Sequence, residues 1–158
     1  MSPEQLVVHK FGGTSVASGE RYRAVADIVT ARPEARRAVV VSAMSGVTDA
    51  LVRAVAQAGS RDGGYRDELA TVRERHLSTA RELLPGPDGE EVLAALERDL
   101  ADVDDVLRAA WIVRHAPRGA ADLVVGLGEV WSARLLAAYL CSRGEDAGWL
   151  DARAVLIA

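Results

Sequence analysis

Two kinds of hydrophobic pattern alternate at the start of the chain. Residues 6–10, Leu-Val-Val-His-Lys, form a short apolar run, and residues 38–42 form a second in which Val39, Val40 and Val41 follow one another without a polar break. A run that is apolar on both faces predicts a central strand of a parallel sheet, because both faces of such a strand are covered. Between the two runs, Tyr22, Val25, Ala26 and Val29 repeat at helical spacing and predict a helix over about 19–31, ended by Pro33. Beyond the second run, 43–46 reads as a loop and a helix is expected from near Thr48 to about Ala58. Two strand, loop and helix units in succession predict an α/β fold with right-handed crossovers.

The alternation stops at about residue 60. Leu69, Val72, His76, Leu77, Ala80 and Leu83 share one face of a predicted helix over 65–84, and Leu93, Leu96, Leu100, Val103, Leu107 and Ala110 share one face of another over 88–115. Pro85-Gly86-Pro87 separates them, so the segment of about 60–117 is expected to be an antiparallel helical hairpin inserted beside the sheet and packed on itself. Residues 122–129 read equally as a strand or a short helix, and periodicity does not separate the two. A helix follows over 130–143 through Trp131, Leu135, Ala138 and Tyr139, with Gly144 at its C' position. Residues 147–150 are expected to form a further strand with Asp151, Ala152 and Arg153 at its carboxyl end, and the apolar residues 156–158 suggest continuation into a larger domain.

Composition narrows the function classes. The 158 residues are 49% apolar and 27% charged, as in a globular domain, but only 4% aromatic. With a net charge of -4, neither a base-stacking surface nor a polyanion track is indicated, so nucleic acid is not an expected partner. The longest stretch without a charged residue, 38–48, is 11 residues, short of the ~20 that span a bilayer, so no membrane role is expected. Cys141 is the sole cysteine, which suits a reducing cytoplasm. Its neighbours Ala138, Tyr139 and Leu140 suggest a small apolar filler on a helix. His9, His76 and His115 show no metal-ligand grouping, and Glu90-Glu91 and Asp104-Asp105 read as solvated helix faces.

The candidate chemistry starts at Lys10. Of 19 basic residues it is the only lysine, and it stands at the end of the first strand, directly before Phe11, Gly12, Gly13, Thr14 and Ser15. Lysine is a compact, rotatable point charge that can follow a moving phosphate, where arginine is a rigid fork. Glycines let backbone N–H groups approach phosphate oxygens, hydroxyls add donors, and the next helix points its positive end at the same place. The order differs from a Walker A loop, in which the lysine follows the glycines. On the residues alone the alternative is an ordinary glycine turn; Ser42 and Thr48 equally suit capping of a helix start, and Glu129 an acid in a first helical turn.

Residues 10–17, KFGGTSVA, resemble the N-terminal signature of aspartate kinases, in the amino-acid kinase superfamily. Residues 39–51, VVVSAMSGVTDAL, resemble that family's second strand and loop. Gly128-Glu129 with Trp131-Ser132-Ala133 and Leu135 resembles its GE-x-x-S-A element, and 149–153, WLDAR, the segment after it. The resemblance implies the N-terminal part of a three-layer α/β/α sandwich with a mainly parallel sheet, related to carbamate kinase, across 1–158. It implies ATP-dependent phosphorylation, with Mg2+, of the side-chain carboxylate of L-aspartate to 4-phospho-L-aspartate, for lysine, threonine and methionine synthesis. Lys10 would be catalytic and touch the transferring phosphates. Phe11, Gly12, Gly13, Thr14 and Ser15 would line the phosphate site, with Gly12 and Gly13 as the cradle. Ser42 would lie at the junction of substrate and phosphate, Thr48 would bind aspartate, and Glu129 would hold its ammonium. No protein metal ligand is implied, since Mg2+ arrives with the nucleotide.

Such kinases continue into a second half of the catalytic domain, so the 158 residues alone are expected to be inactive and the full-length protein to be a homo-oligomer. The other readings are a kinase for glutamate or an acylated glutamate, and a non-catalytic half-domain that binds a partner.

Overall fold

The computed structural model describes residues 6–31 and 36–155. The elements are β1 (Leu6–Phe11), a 3-10 turn (Gly13–Val16), α1 (Gly19–Thr30), β2 (Arg36–Val41), α2 (Val47–Gly59), α3 (Tyr65–Leu83), α4 (Pro87–Val113), α5 (Arg118–Ser142) and a last 3-10 turn (Ala152–Ala154). Pro33 and the apolar residues 156–158 lie outside the described residues.

β1 and β2 are parallel, in register from Leu6 opposite Arg36 to Phe11 opposite Val41, with α1 as the crossover. The strands alternate in burial. Phe11, Val39 and Val41 turn toward the core, whereas Leu6, Val8 and Val40 are 60%, 63% and 53% exposed. The described residues thus supply the parallel pair and cover one of its two faces. Ser18 caps α1 by accepting the Arg21 N–H at 3.4 Å, Glu20 sits in the first turn, and Tyr22, Val25, Ala26 and Val29 are buried as their spacing requires.

The helical hairpin forms as expected, with Pro87 in the first turn of α4 after Gly86 at φ 107°. Leu69, Val72, His76, Leu77, Ala80 and Leu83 of α3 are buried, and so are Leu96, Leu100, Val103, Leu107 and Ala110 of α4. The hairpin does more than pack on itself. α2 and α5 also lie against α3 and α4, giving a helical bundle that is continuous with the covered face of the sheet. Glu90, Glu91, Asp104 and Asp105 are exposed.

Three expectations are corrected. Residues 122–129 are neither a strand nor a separate short helix: α5 runs unbroken over Arg118–Ser142, because Val124, Leu127, Gly128, Trp131 and Leu135 form one buried stripe that outweighs the helix cost of its glycines. By length and composition α5 passes for a membrane-spanning helix, yet over half of its most apolar window is buried within the fold, as in a core helix. Residues 147–150 form no strand, since no neighbouring strand among the described residues offers them a ladder. Arg134 stacks on the Trp149 ring at 4.7 Å, and Glu145, just ahead of the segment, pairs with Arg37 at 3.1 Å. Cys141 is exposed rather than a buried filler, with its thiol 3.0 Å from Ala147 O.

His76 takes a structural place that carries a measurable consequence. Its ring is fully buried, Nδ1 lies 2.7 Å from Val72 O, the ring meets Trp131 edge to face at 5.0 Å, and Nε2 has no hydrogen-bond partner. Burial lowers its pKa from 6.5 to about 4. The folded state therefore stays neutral while the unfolded chain takes up a proton, so stability is full above pH 6.5 and is lost as pH falls toward 4. By linkage this one group accounts for about 3 kcal/mol over that window. Urea melts at pH 7 and pH 4.5 on the wild type and His76→Phe should show the variant losing less stability across the interval; equal losses would remove His76 from the acid response.

Candidate functional site

The parallel register brings β1 and β2 to their carboxyl ends at the same level, which is where ligands sit in open parallel sheets. Both chains leave into loops side by side. The Ser42 N–H donates to Phe11 O at 3.1 Å, so the pairing continues one residue past the strands. Gly12 is extended, the Gly13–Val16 turn closes with Ser15 N–H on Gly12 O at 2.9 Å, and the Ser45 N–H donates to Gly13 O at 3.1 Å. A Cβ on Gly13 would stand 2.7 Å from Ala43 O and 3.3 Å from Ser45 N, so a side chain there would force the loops apart. Lys10 is exposed, and its Nζ lies 4.0 Å from where a Gly12 Cβ would be: the ammonium sits beside the glycine pair.

α5 reaches the same place through a second glycine. A Cβ on Gly128 would stand 2.7 Å from Ala43 Cβ and 3.2 Å from Val47 Cγ1. Ala43 is therefore held between Gly13 and Gly128, and the glycine loop, the second loop and α5 converge on one residue. Glu129, next in the chain, is half-buried and lines a groove of about 510 Å³ with Val52, Val55, Asp122 and Val125. Thr48 is one helical turn ahead of Val52 on α2. Ser42 and Ser15 are half-buried and Thr14 is exposed. Neither Lys10 nor Glu129 is spent on an ion pair among the described residues. No three His, Cys, Asp or Glu side chains among the described residues gather as a metal site.

The family model for the amino acid kinase family matches residues 5–157. The chain belongs to the amino acid kinase family. Within it, this chain is 44% identical over 150 residues to the bifunctional aspartokinase/homoserine dehydrogenase 1 of Zea mays, covering 95% of this chain and 16% of that protein. It is 45% identical over 154 residues to the corresponding Arabidopsis thaliana protein, covering 98% and 17%. Among solved structures, E. coli aspartokinase III in complex with aspartate and ADP superimposes with a TM-score of 0.82 at 31% identity, over 96% of this chain and 32% of that one. The chain thus spans between a sixth and a third of these relatives. The E. coli likeness bears out the α/β fold expected from the sequence.

Lys10, Gly12, Gly13 and Glu129 were singled out from the sequence, whereas some residues that tie the surrounding elements together were not. Gly128 carried a weak signal, a glycine inside a helical stripe, which usually marks a close approach. Asp99 carried none. Its carboxylate accepts from Trp131 Nε1 at 3.0 Å and from Arg134 Nη1 at 2.8 Å, tying α4 to α5. Arg75 carried none either, as an arginine among many on a helix, yet its guanidinium donates to Ser45 O at 2.6 Å and to Ala17 O at 3.1 Å.

Proposed function

We propose that this chain carries the phosphate-binding and acceptor-binding groups of an aspartate kinase, as the N-terminal part of its catalytic domain. The observation that carries the reading is the pinning of Ala43 between Gly13 and Gly128, which joins the lysine loop, the loop ahead of α2 and the α5 segment before Glu129 near the carboxyl ends of two parallel strands. The aspartokinase names of the relatives, and the aspartate and ADP of the E. coli structure, supply the substrate class.

A side-chain carboxylate oxygen of L-aspartate attacks the γ-phosphorus of ATP. An O–P bond forms as the bond to the β–γ bridging oxygen breaks, and ADP leaves with that electron pair. A carboxylate with a pKa of about 4 is already the nucleophile at neutral pH, so no proton is moved and no general base is needed. What opposes the reaction is repulsion between anions. Lys10 and the backbone N–H groups of the glycine loop oppose that repulsion by standing where negative charge accumulates. Mg2+ would be carried by phosphate oxygens and add positive charge there. Ser42 sits between the two substrates, Thr48 hydrogen-bonds aspartate, and Glu129 attracts its ammonium, which selects an amino acid over a bare dicarboxylate.

ADP release by the protein at its natural length, with L-aspartate and with L-glutamate, tests the assignment. Glu129→Ala should raise the KM for aspartate at least tenfold with a much smaller change in kcat, since a charge-assisted hydrogen bond contributes about 1.5–3 kcal/mol. An unchanged KM, or release driven equally by glutamate, would refute it.

A further inference from the structure

Arg75 projects from α3 toward the two loops of the site. Its Nη1 donates to Ser45 O at 2.6 Å and its Nη2 to Ala17 O at 3.1 Å. Ala17 closes the glycine loop ahead of α1, and Ser45 lies in the loop ahead of α2. One guanidinium thus spans the phosphate side and the acceptor side of the candidate site. We propose that Arg75 is a positioning residue for phosphoryl transfer, setting the distance between these loops; this rests on the kinase reading above.

The partners of Arg75 set it apart from the arginines that form ion pairs. Arg23, Arg53, Arg73, Arg134 and Arg143 each pair with an Asp or Glu. Arg75 has no carboxylate partner among the described residues, and both of its hydrogen bonds go to backbone carbonyls. A planar fork binding two carbonyls fixes their spacing as a flexible ammonium cannot. It fixes direction as well. In a trans peptide the N–H points opposite to the C=O, so holding Ser45 O toward α3 turns the Gly46 N–H away from α3. Gly46 stands at φ 81°, a conformation in which glycine pivots freely, and the Arg75 contact stops that pivot directly before α2 and Thr48. At the other loop, holding Ala17 O orients the peptide that leads into Ser18, the cap of α1. The helical hairpin acquires a task by this contact: it carries the strut that keeps both loops in place.

The test uses the protein at its natural length with Arg75→Met, which keeps the apolar stem and removes the fork, and Arg75→Lys, which has one ammonium to share between two carbonyls. Amide exchange read by mass spectrometry should accelerate at least tenfold in peptides covering 12–18 and 43–48 of Arg75→Met, while α4 is unchanged. The kcat should fall about 10–100-fold, the scale expected for misplacing reacting groups by about 1 Å, with a smaller effect on the KM for ATP. Arg75→Lys should lie between the two. Unchanged loop exchange overturns the proposal, and so does a uniform acceleration through α3 and α4 with a matching loss of melting temperature, which would be a purely structural role. The two readings separate cleanly. Loosened loops in a protein whose wild type never phosphorylates aspartate leave the strut standing and remove the kinase reading; an active wild type with unmoved loops does the reverse.

Discussion

Lys10→Met is expected to lower kcat by about 10²–10³, the usual cost of deleting one preorganised charge that faces a transition state. The ammonium stands beside the glycine pair with no carboxylate paired to it among the described residues, so its charge is available to phosphate oxygens. Its removal should leave the fold intact, because the side chain is exposed and packs in no core. Lys10→Arg keeps the charge and should still lose turnover, since a rigid fork on this short approach from a strand end cannot follow a phosphate from donor to acceptor. Steady-state kinetics with ATP and aspartate, beside melting curves, decide the matter. Both variants at wild-type kcat would mean that Lys10 is not in the reaction path.

The largest stability effect is expected at Trp131. The residue is fully buried and binds three helices: its ring meets His76 of α3, its Nε1 donates to Asp99 of α4 at 3.0 Å, and its backbone belongs to α5. Asp99 in turn accepts from Arg134, whose guanidinium stacks on Trp149. Trp131→Ala leaves a cavity and removes one donor from the half-buried Asp99 carboxylate, and should cost about 3–5 kcal/mol, a large share of the 5–15 kcal/mol that typically holds a domain. For a chain of this size that corresponds to a fall of roughly 10 °C or more in melting temperature. Trp131→Phe refills most of the volume and loses only the N–H, so it should recover more than half of the loss. A shift of under 3 °C for the alanine variant would show that α4 and α5 are held together elsewhere.

Much of the architecture could be read from side-chain periodicity. Buried stripes in α1, α3 and α4 fall on the residues that their spacing names, because a helix of fixed pitch has only one way to turn such a stripe inward. Local pattern failed where the deciding partner lay elsewhere in the chain. Residues 122–129 have the composition of a strand and of a helix alike, and the contact of Gly128 with Ala43 belongs to a helix. Residues 147–150 have strand composition and no strand beside them among the described residues, so Trp149 goes under Arg134 instead. Cys141 has apolar neighbours in sequence but lies at the exposed end of its helix, where burial is set by what packs above it.

The candidate site divides in the same way. A lysine at a strand end, paired glycines and flanking hydroxyls lie within six residues, and from them the sequence by itself proposed a phosphate site. It also determined the family, since the motifs at 10–17, 39–51 and 128–135 occur in order along the chain. Only the tertiary structure decided that these segments meet, with Ala43 between two glycines separated by most of the chain, and that Arg75 from the hairpin bridges the loops. Close approach of backbones and a hydrogen bond to a distant carbonyl depend on distances in space, and no spacing along the chain encodes them.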